Sequence, residues 1–112
     1  MAFVRKKRLG GYEYYQLVEN RWIDGKPRQR VLLHLGRYSD IEVALKEWPG
    51  AIERLGRFAQ REREKAERLS EDPGSSARSR VARDRATKAE RRAGALAANL
   101  KKLHDLKDQG VV

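Results

Sequence analysis

Two dipeptides, Gly10-Gly11 and Asp24-Gly25, constrain this chain more than anything else in it. They cut the first part of the sequence into three runs rich in Val, Leu, Tyr and Phe: Ala2–Leu9, Tyr12–Trp22 and Arg28–Leu35. Two-residue hairpin loops demand positive φ, which glycine adopts freely and aspartate tolerates. Each dipeptide therefore predicts a tight hairpin, and together they predict a three-stranded antiparallel meander with the second strand central. Tight loops also set the pairing. The first should place Leu9 opposite Tyr12, Lys7 opposite Tyr14 and Phe3 opposite Val18. The second should place Arg21 opposite Arg28, Glu19 opposite Arg30 and Val18 opposite Val31.

Side chains alternate between the faces of a sheet, so this register sorts them. One face is expected to collect Phe3, Leu9, Tyr12, Tyr14, Val18, Trp22, Val31, Leu33 and Leu35 as the core side, with Arg5 and Lys7 towards an edge. The other is expected to collect Lys6, Arg8, Arg21, Arg28, Arg30 and His34 around Tyr15, Leu17 and Leu32. A slip of one residue would exchange the two sets.

After residue 37 the period changes. Ser39 with Glu42 forms a capping-box pattern ahead of Ile41, Val43, Ala44 and Leu45. Leu45, Trp48, Ile52, Leu55, Ala59, Glu62, Ala66 and Leu69 then advance by threes and fours, a heptad seam with one polar member. Pro49 is compatible with a kink or with the start of a new helix. Glu71-Asp72-Pro73-Gly74-Ser75-Ser76 stops the pattern, and Ser75 or Ser76 is placed to cap a second helix. Its seam runs through Ala82, Ala86, Ala89, Ala93, Leu96, Leu100 and Leu103. Folded back about the break, Ala66 meets Ala82 and Ala59 meets Ala89 near the loop, and larger residues meet far from it. The expected architecture is α+β: a basic sheet module over residues 1–37, then a long coiled-coil-like helical hairpin over residues 38–112 with its break at 70–76. The alanine-rich tip buries little area and should fray unless a partner holds it.

Composition bears on function. The 112 residues carry 26 Lys+Arg against 16 Asp+Glu, a formal charge of +10. Residues 1–37 hold nine basic and three acidic side chains, residues 38–72 seven and nine, and residues 73–112 ten and four. Two +6 blocks thus flank a −2 spacer. The obvious partner of such a chain is nucleic acid. The absence of cysteine excludes disulfides, thiolate zinc sites and cysteine nucleophiles. No apolar run spans a membrane and the N-terminus lacks a secretory pattern, so a cytoplasmic protein is expected. No Ser/His/Asp grouping or phosphate-binding glycine loop is present. His34 and His104 read as packing or helix-dipole residues, so no enzyme activity, cofactor, metal or small-molecule substrate is expected.

The cations differ in what they imply. Glu62, Glu64 and Glu67 interleave with Arg61, Arg63, Lys65 and Arg68 at helical salt-bridge spacing, which accounts for them. Arg78, Arg80, Arg83, Arg85, Lys88, Arg91 and Arg92 are opposed between residues 77 and 93 only by Asp84 and Glu90, and form a secondary basic patch. In the sheet, Arg21 opposite Arg28 is repulsive without an anion between them. Edge-strand protection explains Lys6 and Arg8 better than it explains arginines on both strands of a hairpin. Lys6, Arg8, Arg21, Arg28 and Arg30 are therefore the principal candidates for nucleic-acid contact, with Tyr15 among them and Lys26 and Arg37 as flanking phosphate contacts.

The string from Phe3 to Leu45 resembles the N-terminal segment of DDE-class insertion-sequence transposases. The resemblance rests on Tyr14-Tyr15-Gln16-Leu17-Val18-Glu19, Gly25-Lys26-Pro27-Arg28-Gln29-Arg30 and Leu35-Gly36-Arg37. In that family this region is thought to engage transposon-end DNA, while strand transfer needs a separate RNase-H-like domain with three metal-binding carboxylates. The resemblance thus implies DNA binding without catalysis, with DNA ahead of RNA as partner. Two other readings stand beside it: an assembly module that homodimerises through the heptad helices, and an RNA- or ribosome-binding protein.

Overall fold

A computed structural model of the chain describes residues 2–112. Strand β1 (Ala2–Leu9), β2 (Tyr12–Ile23) and β3 (Lys26–Gly36) form one antiparallel sheet in the order β1-β2-β3. Helix α1 (Ile41–Ser70), a 3₁₀ turn (Pro73–Ser75) and helix α2 (Ser76–Asp108) follow. The fold is α+β with a helical hairpin. Two compact units emerge: one runs to Glu47 and takes in Ala98–Val112, and the other is Trp48–Ala97.

Both hairpin loops have the expected backbone. Gly10 and Gly11 have φ of 54° and 87°, and Asp24 and Gly25 have 52° and 75°, the double positive φ of a type I′ turn. All six pairings expected from these loops are present, from Leu9 opposite Tyr12 to Val18 opposite Val31. Beyond Val31 the register departs from simple counting. Leu17 pairs with Leu33 and Gln16 with His34, leaving Leu32 without an opposite; a second irregularity sets Tyr15 against Gly36. Each added residue in β3 is a bulge, which re-aims the side chains after it.

These bulges correct the expected partition of the sheet. Leu33 joins Val4 and Leu17 on one face, and His34 joins Gln16, Arg5, Phe3 and Val18 on the other. The core lies on the Leu17 side, opposite to expectation. Leu17, Leu33, Leu35, Ala44 and Leu103 are buried in the first unit, and Val4 shares a pocket wall with Ile41, Glu42, Lys107 and Val112. Leu9, Tyr12, Trp22, Phe3 and Val31, expected inside, are exposed. The reason lies in the middle rows. Val4, Leu17 and Leu33 form an aliphatic row, whereas the other face has Arg5, Gln16 and His34 across its centre. A helix cannot close over that polar row without stranding it. Val18 and Gln16 are both buried on the open face. Arg5 donates across the sheet to Gln29, and to Gln16 Oε1 at 2.7 Å.

Helix α1 begins one residue later than the capping-box pattern implies. Asp40, rather than Ser39, is the cap: its Oδ1 accepts from the Glu42 amide at 2.9 Å. Glu42 then turns to Lys107 Nζ, 2.9 Å away, instead of reaching back. Pro49 sits inside one uninterrupted helix. At the other end the break is capped by Asp72, which accepts from the Gly74 amide at 3.1 Å and the Ser75 hydroxyl at 3.0 Å. Ser75 is thus a donor to Asp72 rather than the cap of α2.

The second unit closes on alanine. Ala59, Ala66, Ala82, Ala86 and Ala89 are buried, with Leu55 packed on the Ala59–Ala86–Ala89 cluster. Small side chains bring the backbones close enough for the Ser79 hydroxyl to donate to the Ala66 carbonyl at 2.9 Å. Arg63 clamps Glu90 at 2.5 and 2.7 Å, so its guanidinium is already neutralised, and its hydrogen bonds hold the Glu90 carboxyl below the ordinary value. Glu62, the polar member of the α1 seam, keeps Oε2 buried without a hydrogen-bond partner. A buried orphan acceptor costs about 1–3 kcal/mol. Glu62→Leu should therefore raise the unfolding free energy by up to about 3 kcal/mol, read as a higher denaturation midpoint. A lowered midpoint in urea titration would show that the carboxylate is better placed than the geometry indicates.

Candidate nucleic-acid interface

The register sorts the basic strand residues before any partner is considered. Lys6, Arg8, Tyr15, Arg21, Lys26, Arg28 and Arg30 all share the face of Leu17, through their pairing with Tyr15, Glu13, Glu19, Arg21 and Ile23. They do not form one patch. Glu13 and Arg21 stand eight residues apart on β2, about 26 Å at strand rise, and the buried Leu17 row lies between them. The basic face is split into two ends by the core.

At the Gly10-Gly11 end one carboxylate holds two cations and offsets half of their charge. Glu13 Oε2 lies 3.0 Å from Lys6 Nζ and Glu13 Oε1 lies 2.7 Å from Arg8 Nη2. Hydrogen bonds from Arg8, and then from Lys6, hold the Glu13 carboxyl below the ordinary 4.5. The same contact raises Lys6. Glu13 therefore contributes stability above pH 4.5, and that contribution fades as acid protonates the depressed carboxyl. A carboxyl NMR titration should place the Glu13 midpoint below 4.5; a midpoint at or above it would dissolve the trio. This partnership was available from the first turn, which sets Arg8 opposite Glu13, yet counting cations alone passes over it.

The Asp24-Gly25 end is different. Among the described residues β1 pairs with β2 only as far as Glu19, so the remainder of β2 and the start of β3 run on as a two-stranded ribbon. Every residue from Asn20 to Val31 is exposed. The segment beyond Glu19 reaches about 13 Å to Ile23. It carries Arg21 opposite Arg28 and Lys26 opposite Ile23, with Arg30 opposite Glu19 at its base. Arg21 Nε donates to Glu19 at 2.8 Å. Asp24 is the one acid in the turn. The opposite side of the ribbon holds Asn20 paired with Gln29 and Trp22 paired with Pro27. Trp22 is 76% exposed.

The remaining candidates sit elsewhere. Tyr15 is half-buried beside the core, opposite Lys6 and Gly36. Arg37 follows β3 and folds over Tyr38, with its guanidinium carbon 5.2 Å from the ring centroid and Nη2 donating to the phenol oxygen at 3.1 Å. That contact raises the Arg37 guanidinium further. In the second unit Arg78, Arg80, Arg83, Arg85, Lys88, Arg91 and Arg92 are all exposed on α2. Arg78 and Arg85 join Lys65 around a groove floored by Leu69, Ala77, Val81 and Ala82. Among the described residues no His, Cys, Asp or Glu cluster is arranged to hold a metal ion, and no helix is long and apolar enough to cross a membrane.

No curated protein and no solved structure matches this chain. The sheet, its ribbon and the whole of α1 nevertheless fall within a single family match over residues 2–73, most of the chain, and by that match it belongs to the family of the IS1634 family transposase, N-terminal domain.

Proposed function

We propose that the protein binds duplex DNA through the β2–β3 ribbon, with Arg21, Lys26, Arg28 and Arg30 as its cationic face. The observation that carries this reading is the exposure of the whole Asn20–Val31 segment with four cations and one acid beyond Glu19. A two-stranded ribbon fits the major groove, about 12 Å wide, where its arginines and lysine reach the flanking phosphates. Family membership supports DNA as the partner. Lys6 and Arg8 contribute less in this reading, because both are already ion-paired with Glu13. Arg37 supplies a flanking contact, and the Arg78–Arg92 helix a second anionic surface. The chain acts here as a binding module and not as a catalyst. Fluorescence anisotropy with a labelled duplex across a salt series tests the proposal; binding that ignores salt would contradict it.

A further inference from the structure

The open face of the sheet has a composition that the ribbon reading leaves unused. Its positions are those paired through the even-numbered residues of β2, from Leu9–Tyr12 at one end to Trp22–Pro27 at the other. Not one is acidic: Glu13 and Glu19 both point to the core face, and Asp24 is in the turn. Aromatic side chains recur along it. Tyr12 is 79% exposed, Phe3 40% and Trp22 76%, and Tyr14 is half-buried between Tyr12 and Gln16. Lys7 is exposed opposite Tyr14. At the centre Arg5 reaches across the strands and donates to Gln29 and Gln16.

An apolar docking face for a protein helix would be expected to be aliphatic and continuous, as the Val4–Leu17–Leu33 face is. This one alternates rings with amides and cations and has its polar row at mid-sheet. Exposed rings on an acid-free, positively charged sheet match what unpaired bases require: planar surfaces to stack on and cations for the intervening phosphates. We infer that this open face is a binding platform for single-stranded nucleic acid, with Tyr12, Tyr14 and Phe3 as stacking surfaces and Lys7 as a phosphate contact. The site is separate from the cationic face of the ribbon and stands whether or not the ribbon binds duplex.

The test uses the full chain and an oligothymidylate of about a dozen nucleotides, within the range such platforms cover. Trp22 is the exposed reporter and Trp48 is buried, so binding should quench the exposed emission. Tyr12→Leu with Tyr14→Leu keeps apolar bulk and removes the rings. It should weaken oligothymidylate binding at least about fivefold, the lower end for losing one stacked base, while leaving duplex affinity unchanged. Circular dichroism and mass in solution are recorded for each variant. Absence of oligothymidylate binding, or binding indifferent to the double substitution, overturns the inference. Equal loss of duplex and single-strand binding overturns it as well, since the face is then part of one shared site. A variant that merely converts a dimer to a monomer assigns the face to a second copy instead.

Discussion

Replacing Arg28 and Arg30 together with alanine is expected to weaken duplex binding about a hundredfold, taking about 1.5 kcal/mol for each charge-assisted hydrogen bond lost. The effect should be visible in salt dependence as well as in affinity. Four phosphate contacts correspond to a slope of about −3.6 in log K against log salt, and two contacts to about −1.8. Between 50 and 200 mM salt the native protein should then lose about 150-fold in affinity and the variant about 12-fold. The comparison is Arg61→Ala with Arg63→Ala. Those residues lie on α1, outside the ribbon, and Arg63 is already clamped by Glu90, so neither supplies one of the proposed contacts. Equal losses from the two pairs would take the ribbon out of the mechanism.

The second large effect concerns stability. Leu17 is fully buried in the aliphatic row of the sheet, and Leu17→Ala should cost about 2–5 kcal/mol through lost burial and the cavity left behind. Against a total of about 5–15 kcal/mol for a domain of this kind, that is enough to lower the urea midpoint substantially. Tyr12→Ala, on the opposite face and largely exposed, should stay within about 0.5 kcal/mol. The pair is chosen because reading the strands by simple alternation assigns these two residues the other way round. A larger loss from Tyr12 than from Leu17 would return the core to the open face.

The contrast shows where residue-by-residue reading stops. Both hairpin turns and every pairing out to Val31 follow from two dipeptides, because positive φ is a local demand that few residues meet. The break at Pro73-Gly74 and the alanine seam are local in the same sense. The family match extends the resemblance seen in the strands through α1 to Pro73. The bulge at Leu32 was not legible. Nothing in Val31-Leu32-Leu33 distinguishes a regular strand from one with an added residue, since all three side chains are apolar. Only closure of the core selects the register that turns Leu33 towards Leu17 and sends His34 to Gln16. The split of the basic residues was hidden for a related reason: alternation records which face a residue joins, and says nothing of what lies between two residues on that face.

By itself, then, the sequence determined the meander, its first register, the helical hairpin and the excess of positive charge about the second turn. Each is set by backbone preference or by neighbours within a few residues. Tertiary structure decided which face is the inside, and that the Arg21–Arg28 ribbon and the ring-bearing face both remain open. Those outcomes depend on a competition among whole rows of side chains for one buried side. The aliphatic row wins it because closing a helix over Arg5 and His34 would cost more than leaving Tyr12 and Trp22 in water.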